Sequence, residues 1–290
     1  MQAFVNECER DFEARLESAI AQISSDPELR AVALSGPTCS GKTTAANKLT
    51  DDFARHGKNV RVISIDDFFK DSFEQKQMGE LPDFESIAAI DLDAFCECVD
   101  AIFNMKTARV PHFDFVSGRR TGYTEMEPTE KDVYLFEGIQ AIYPEIRELL
   151  SRTHSKSVYI CAESSLDVGG TVFDPNEIRL ARRIVRDSNF RGASPEYTLF
   201  LWEGVRANED KGIFPYSHLA DVRIDSTMAY DMGALVQFLR PMLMTVGKDS
   251  KYYKEASRLL EKTEGIESIP SLMIPDGSLY YEFIKNEHSD

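Results

Sequence analysis

Gly36-Pro37-Thr38-Cys39-Ser40-Gly41-Lys42-Thr43 is a complete G-x-x-x-x-G-K-[ST] phosphate-binding loop. An apolar run over 31–34 precedes it and residues 44–49 favour a helix, which is the strand-before, helix-after context that such a loop needs. The two glycines let backbone N–H groups turn inward toward a phosphate, and a helix N-terminus attracts anions. We therefore expect a nucleoside triphosphate to contact Gly36, Thr38, Cys39, Ser40, Gly41, Lys42, Thr43 and Thr44.

Acidic residues follow two of the predicted core strands. Residues 60–65 favour a strand that ends in Asp66-Asp67, and residues 133–136 favour one that ends in Glu137. Carboxylates at the carboxyl ends of parallel strands lie on the ligand side of a sheet. Aspartate also caps turns and helices, but a pair of acids one strand after a phosphate loop favours catalysis. Glu137 has the position of a Walker-B acid, so it and the Thr43 hydroxyl predict a Mg²⁺ site.

A cluster of arginines distinguishes residues 177–192. Four of them are spaced i, i+3, i+4, i+7, which places them on one face of a helix, and a fifth follows just after it: Arg179, Arg182, Arg183, Arg186 and Arg191. The segment is basic although the chain carries a net charge of −16. A solvated charged face is the simpler interpretation. Because arginine suits bidentate phosphate contacts, we favour a mobile lid that closes onto the transferred phosphoryl group and excludes water.

Composition limits the other classes of function. A net charge of −16 disfavours binding to nucleic acid or to an anionic membrane. No apolar run approaches the length of a membrane span, and residues 1–24 carry acidic residues throughout, unlike a signal peptide. The five cysteines are an odd, scattered set, which predicts reduced thiols in a cytoplasmic protein.

The alternation of strands and helices predicts a three-layer α/β fold with a mostly parallel sheet of about five strands, helices on both faces and a helical lid at about 175–210. We expect a single domain over 1–290, with an N-terminal helix over 1–25, a core over 30–245 and a C-terminal extension over 250–290. Residues 109–122 favour a hairpin. Residues 70–90 favour a loop that closes over a substrate, and residues 163–176 a flexible connection.

Taken in order, these motifs resemble the uridine kinase and phosphoribulokinase family of P-loop kinases, and most closely a bacterial branch of uridine or nucleoside kinases. The matching segments are 36–43, 64–69, 111–115, 136–139, 179–187 and 191–192. The resemblance implies that the protein transfers a phosphoryl group from ATP to a hydroxyl of a small molecule, most simply the 5′-hydroxyl of uridine or a related nucleoside. Members of the family often oligomerise, so the resemblance is compatible with a homo-oligomer.

The resemblance also assigns roles to residues. Asp66 is similar to the base that accepts the hydroxyl proton, while Lys42, Arg186 and Arg191 would balance charge on the moving phosphoryl group. Mg²⁺ would be held through Thr43, Glu137 and Asp66. Glu85 matches a sugar-contacting acid and Arg183 a substrate-contacting arginine. The acceptor site implied by the resemblance comprises Asp66, Phe69, Glu85, Phe113 and Arg183.

The nucleoside pocket departs from the uridine-cytidine kinase pattern at four positions. Where those kinases carry Tyr, His, Arg and Gln, this chain has Phe113, Gly118, Ala193 and Leu201. A site without those polar partners cannot recognise uridine in the same way. A phosphoribulokinase-like enzyme, another sugar or vitamin kinase, and a non-catalytic nucleotide-binding regulatory protein therefore remain as alternatives. A GTPase is disfavoured, because no N-K-x-D motif and no D-x-x-G after strand 133–136 is present.

Overall fold

A central sheet of five parallel strands organises the protein. The structure is a computed structural model that describes residues 1–72 and 84–285, so positions 73–83 of the predicted substrate loop lie outside the described residues. Its strands are β1 (Ala31–Ser35), β2 (Asn59–Ser64), β5 (Asp132–Glu137), β6 (Ser155–Cys161) and β9 (Val222–Asp225). Their order in the sheet is β2-β5-β1-β6-β9, which confirms the predicted parallel sheet.

Helices cover both faces of this sheet. Along β1, Val32 and Leu34 belong to one apolar cluster, whereas Ala31 and Ala33 belong to the other. This division follows from the pleat, because successive side chains of a strand point to opposite faces. The helices are α1 (Gln2–Ser24), α2 (Lys42–Arg55), α3 (Leu92–Phe103), α4 (Pro144–Leu150), α5 (Pro175–Phe190), α6 (Pro195–Gly212), α7 (Phe214–Ser217), α8 (Asp231–Leu243) and α9 (Tyr253–Lys262).

Two antiparallel hairpins lie outside the main sheet. The first pairs β3 (Ala108–Asp114) with β4 (Arg119–Met126), as the sequence predicts. The second pairs β7 (Leu166–Val168) with β8 (Thr171–Phe173), where the prediction of a flexible connection was wrong. Gly169 and Gly170 both have positive φ, at 63° and 88°. A two-residue turn of that kind matches the twist of a hairpin, so these glycines connect two paired strands.

The predicted helical lid is a pair of helices, but its first member is part of the core. Asp174 and Glu177 form a capping box that starts α5. Ile178, Ala181 and Ile184 of this helix are wholly buried, and the helix packs against α8. Moving α5 would expose a large apolar surface, and the mobility of the lid stays a prediction.

The C-terminal extension packs into the same core. After α9, the chain returns through two short 3₁₀ turns, Ser271–Met273 and Leu279–Glu282. Leu279, Tyr280, Phe283 and Ile284 are wholly buried in the apolar cluster that also contains β1 and α2. The extension is thus an integral layer beside the phosphate loop. Over residues 1–72 and 84–285, every helix is too short or too polar to cross a membrane.

Candidate active site

The phosphate loop connects buried strand β1 to α2, as its motif predicts. Gly41 has a φ of 93°, which glycine adopts readily, and it precedes the first residue of α2. At Gly36, a Cβ atom would overlap the carbonyl oxygen of Ile160, so only glycine fits there. The Lys42 ammonium lies across the loop and donates to the carbonyl oxygens of Gly36 and Pro37, at 2.8 and 3.3 Å. The loop is therefore already folded around a position for an anion.

The loop fits a nucleotide phosphate chemically. The Ser40 hydroxyl is buried and lacks a hydrogen-bond partner among the residues that the structure describes. A buried polar atom of this kind normally has a partner, and a phosphate oxygen beside the loop would supply one. The Thr43 side chain is exposed at the first turn of α2, where it is accessible to a metal ion.

The predicted acids lie at adjacent strand ends. Glu137 is paired in register with Leu34 of β1 and with Ser64 of β2, so it stands between the phosphate loop and the 3₁₀ turn that carries Asp66. Burial, together with the charge of Glu137, raises the pKa of Asp66 to about 7, although Lys42 acts in the opposite direction. Asp66 can therefore gain or lose a proton near neutral pH, which suits a general base.

The described residues contain no cluster of three or more His, Cys, Asp or Glu side chains with the geometry of a metal site. A Mg²⁺ ion that acts on phosphates commonly takes only one or two carboxylates from the protein and completes its shell with phosphate oxygens and water. Glu137, Asp66 and the Thr43 hydroxyl are consistent with that mode.

Asp67, the second acid of the pair, stabilises the structure around Asp66. Its carboxylate accepts a hydrogen bond from the backbone N–H of Phe113 at 3.0 Å, which fixes the β3–β4 hairpin beside the 3₁₀ turn that carries Asp66. Arg120, for which the sequence predicted no role, also holds this turn in place. It donates to the carbonyl oxygens of Phe68 and Phe69, each at 3.0 Å, and pairs with Asp91 at 3.0 Å.

An aromatic wall, defined here as Phe69, Phe84, Phe113 and Phe115, begins at the residue that directly follows the 3₁₀ turn of Asp66. Every pair of these four rings is in contact, with centroids 5.0 to 6.0 Å apart. Phe115 is 59% exposed, so the wall reaches the surface. Two of its members, Phe69 and Phe113, belong to the predicted acceptor site. Phe84 and Phe115 were missed, because nothing in a single phenylalanine of a polar segment signals its ring contacts.

The backbone next to the aromatic wall is also held in place. The Gln140 side-chain amide donates to the carbonyl oxygen of Phe84, and the Tyr143 hydroxyl donates to the carbonyl oxygen of Glu85, both at 2.7 Å. These bonds position Glu85, the predicted sugar-contacting acid, at the same end of the sheet as Asp66.

Three arginines converge on the buried carboxylate of Asp187. Arg186 donates to it through Nε and Nη2 at 2.9 and 2.7 Å, while its Nη1 donates to the Thr38 hydroxyl of the phosphate loop at 3.2 Å. Arg191 lies 3.7 Å from the same carboxylate and is 59% exposed. Burial and the charge of Arg186 lower the pKa of Arg191. The structure thus brings Arg186 and Arg191 to the phosphate loop.

Arg183 has a different environment from the other two. Its Nε lies 3.3 Å from the Asp187 carboxylate, its guanidinium is 5.9 Å from the centre of the Trp202 ring, and the residue is only 7% exposed. Its predicted contact with the acceptor stays a prediction.

The expectation that the arginines of α5 together face a phosphate was wrong for two of them. Arg179 and Arg182 are wholly buried and form bidentate ion pairs with Glu209 and Asp231, at 2.6 to 2.8 Å. A buried guanidinium needs such a partner. Arg182 also donates to the carbonyl oxygen of Cys39 at 3.3 Å, so it supports the phosphate loop from behind.

An open cleft of about 910 Å³ extends from the phosphate loop along α2. One side is formed by α1 and α2, the other by the arginines and the C-terminal extension. The residues that line it include Arg10, Thr43, Thr44, Asn47, Arg186, Arg191, Tyr281 and Glu282. The cleft is large enough for the sugar and base of a nucleotide whose phosphates lie in the loop.

Comparison with known proteins agrees with this geometry. The family model described as "Phosphoribulokinase / Uridine kinase family" matches residues 31–232. The chain belongs to this family. The match to the family model covers every residue of the predicted site, from Gly36 to Arg191. It covers neither α1 nor residues 275–282, although both line the cleft.

Individual relatives are distant. Uridine-cytidine kinase C of Dictyostelium discoideum is 29% identical over 168 residues, which are 58% of this chain and 32% of that protein. This chain therefore spans about a third of that relative. Uridine kinase of Ureaplasma urealyticum is 25% identical over 194 residues, 67% of this chain and 86% of that protein. The solved structure of a possible uridine kinase from Bacillus stearothermophilus aligns with a TM-score of 0.51 and 16% identity over 74% of this chain and 100% of its own, a likeness in fold.

Proposed function

We propose that this protein is an ATP-dependent kinase that transfers the γ-phosphoryl group to a hydroxyl of a small molecule, most simply the 5′-hydroxyl of a nucleoside such as uridine. The observation that carries the proposal is the position of Asp66. This carboxylate, whose pKa is raised to about 7, interacts with Lys42 of the phosphate loop, and its 3₁₀ turn is directly followed by Phe69 of the aromatic wall. A base at that point can take a proton from a hydroxyl that attacks a phosphate in the loop.

Each charged residue of the site has a role in this reaction. ATP would supply the transferable phosphoryl group, and Mg²⁺ would neutralise charge on its phosphates. Lys42 would hold the β- and γ-phosphates, and the Thr43 hydroxyl and Glu137 would hold the metal ion. Asp66 accepts the hydroxyl proton and can share in the metal shell. Arg186 and Arg191 bind the transferred group, where charge is redistributed in the transition state.

The aromatic wall supports an acceptor that carries a flat ring. A base can stack on the exposed ring of Phe115 without a hydrogen bond, which suits a pocket that lacks the four polar residues of uridine-cytidine kinases. A sugar phosphate would instead place a dianion beside phenylalanine rings, Asp66 and Glu137, and this is electrostatically unfavourable. The wall therefore favours a nucleoside over the phosphoribulokinase-like alternative.

The test is ADP production from Mg·ATP with a panel of acceptors: uridine, cytidine, adenosine, guanosine, ribulose 5-phosphate, fructose, glycerate and pantothenate. The variant Asp66→Asn is the control, because it removes the base and keeps the size of the side chain. We expect turnover with one or more nucleosides in the parent protein and its near-complete loss in the variant. Turnover only with an acceptor that is not a nucleoside would support the kinase mechanism but contradict a nucleoside as the acceptor. ATP binding without acceptor-dependent turnover would favour a regulatory protein.

A further inference from the structure

A carboxylate of the C-terminal extension occupies two donors of Thr44, the residue that follows the phosphate loop. Glu282 Oε1 accepts hydrogen bonds from the backbone N–H of Thr44 at 2.8 Å and from the Thr44 hydroxyl at 2.6 Å. Glu282 is separated from Thr44 by 238 positions in the sequence. We call residues 274–284, which cross this end of the loop, the C-terminal strap.

The donors that Glu282 uses are suited to a nucleotide phosphate. Thr44 lies in the first turn of α2, where backbone N–H groups lack partners within the helix and the helix dipole attracts anions. Its N–H and its hydroxyl follow directly on the loop that binds the phosphates. A carboxylate and a phosphate oxygen are both anionic acceptors, so they cannot use these two donors at the same time.

The backbone of the strap is fixed, while the Glu282 side chain has room to move. Leu279, Tyr280, Phe283 and Ile284 are wholly buried, and the Asn189 side chain donates to the carbonyl oxygen of Phe283 at 3.0 Å. Lifting the strap would expose these apolar side chains to water. Glu282 itself is only partly buried and borders the open cleft. Rotation of its side chain is therefore the easier way to release Thr44.

We propose that the strap is part of the nucleotide site and that Glu282 competes with the nucleotide's phosphates for the donors of Thr44, so that it lowers the affinity for ATP and ADP. The inference rests on the proposed use of ATP, and it adds a residue outside the region matched by the family model. Because the strap stays in place, Glu282 keeps its position beside the cleft and its charge continues to oppose the phosphates after rotation.

The test is the variant Glu282→Gln, which removes the charge and keeps the shape. Binding of ATP, ADP and adenosine is measured by calorimetric titration without any acceptor. We expect the dissociation constants of ATP and ADP to fall about tenfold, the scale of one charge-assisted hydrogen bond. The dissociation constant of adenosine, which has no phosphate, should stay the same. The control Glu267→Gln removes the same charge from an exposed position near the strap and outside the cleft, and it should leave all three constants unchanged.

Several outcomes would overturn this proposal. Unchanged or weaker ATP binding in Glu282→Gln, with a normal thermal unfolding midpoint, would mean that Glu282 supports the loop and does not compete. If adenosine binding tightened as much as ATP binding in Glu282→Gln, the cause would be a more open cleft. If Glu267→Gln tightened ATP binding to the same extent, the cause would be the net charge alone. If ATP binds neither the parent protein nor the variant, both this proposal and the kinase proposal fail. If ATP binds the parent but no acceptor is phosphorylated, only the kinase proposal fails.

Discussion

Replacing Asp66 with asparagine should inactivate the protein and stabilise its fold. In the unfolded chain this carboxyl has a pKa near 3.8, but in the folded protein burial and Glu137 raise the pKa to about 7. One pKa unit corresponds to 1.36 kcal/mol, so the ionised carboxylate lowers the free energy of unfolding by about 4 kcal/mol as an upper value. Because the folded protein binds the proton more tightly, this loss develops as the pH rises from about 4 to about 7 and is complete above that.

The asparagine carries no charge and therefore avoids this loss. We expect Asp66→Asn to unfold at a higher urea concentration than the parent protein at pH 8, and the difference to narrow as the pH falls toward 4. In the same variant, kcat should drop by about 10²- to 10⁴-fold, the usual contribution of a general base. In the parent protein, kcat/KM should rise with pH and level off above about pH 7, as Asp66 loses its proton.

Asp67→Asn is the matched control for both measurements. It weakens the hydrogen bond to the Phe113 N–H and should lower the free energy of unfolding by about 1–3 kcal/mol. The reasoning would be refuted if Asp66→Asn were no more stable than the parent at pH 8, or if its stability gain did not depend on pH. If Asp66→Asn kept most of the turnover, Asp66 would not be the general base.

Two further substitutions test the arginines of α5. Arg186→Met removes a guanidinium that contacts the phosphate loop. It should lower kcat by about 10²- to 10³-fold, as the loss of one transition-state donor does. A change in the KM for ATP alone, measured by steady-state kinetics, would contradict this expectation. Arg182→Met leaves the Asp231 carboxylate buried without its cation and should lower the free energy of unfolding by about 3–5 kcal/mol. Urea unfolding of Arg182→Met combined with Asp231→Asn should recover part of that loss, and no recovery would show that the buried charge is not its cause.

The part of the site that could be predicted from sequence is local. The phosphate loop needs particular residues within eight consecutive positions. Glu137 ends the buried strand β5, and Asp66 comes two positions after the end of β2. In a parallel sheet, strand ends with these neighbours meet at one edge, so the sequence predicts their proximity. Apolar runs of suitable length and period likewise predict the five core strands and most of the helices. They do not predict the β7–β8 hairpin, whose two strands have only three residues each.

What the sequence could not reveal depends on partners that are far apart in the chain. Helical spacing places Arg179 and Arg182 on one face of α5, but it does not say which carboxylates meet that face. Glu209 and Asp231 lie 30 and 49 positions away, and each is an ordinary acidic residue of a helix in the sequence. Glu282 is harder still to predict, because its partner Thr44 lies 238 positions away. Contacts of this kind are determined by packing, not by local pattern.

The arrangement around Asp187 explains how arginines can serve transfer without movement of α5. Two nitrogens of Arg186 are fixed by this carboxylate, which leaves Nη1 directed at the phosphate loop through Thr38. A donor that is held in place before the reaction needs no reorganisation when charge shifts in the transition state, and this is why preorganised donors are effective. Arg191 lies after the end of α5 and is 59% exposed, so it can adjust to a ligand while the helix stays packed. Side-chain movement of Arg191 and Glu282 can therefore adjust the described part of the site to the phosphates, while the buried ion pairs of Arg179 and Arg182 hold α5 in place.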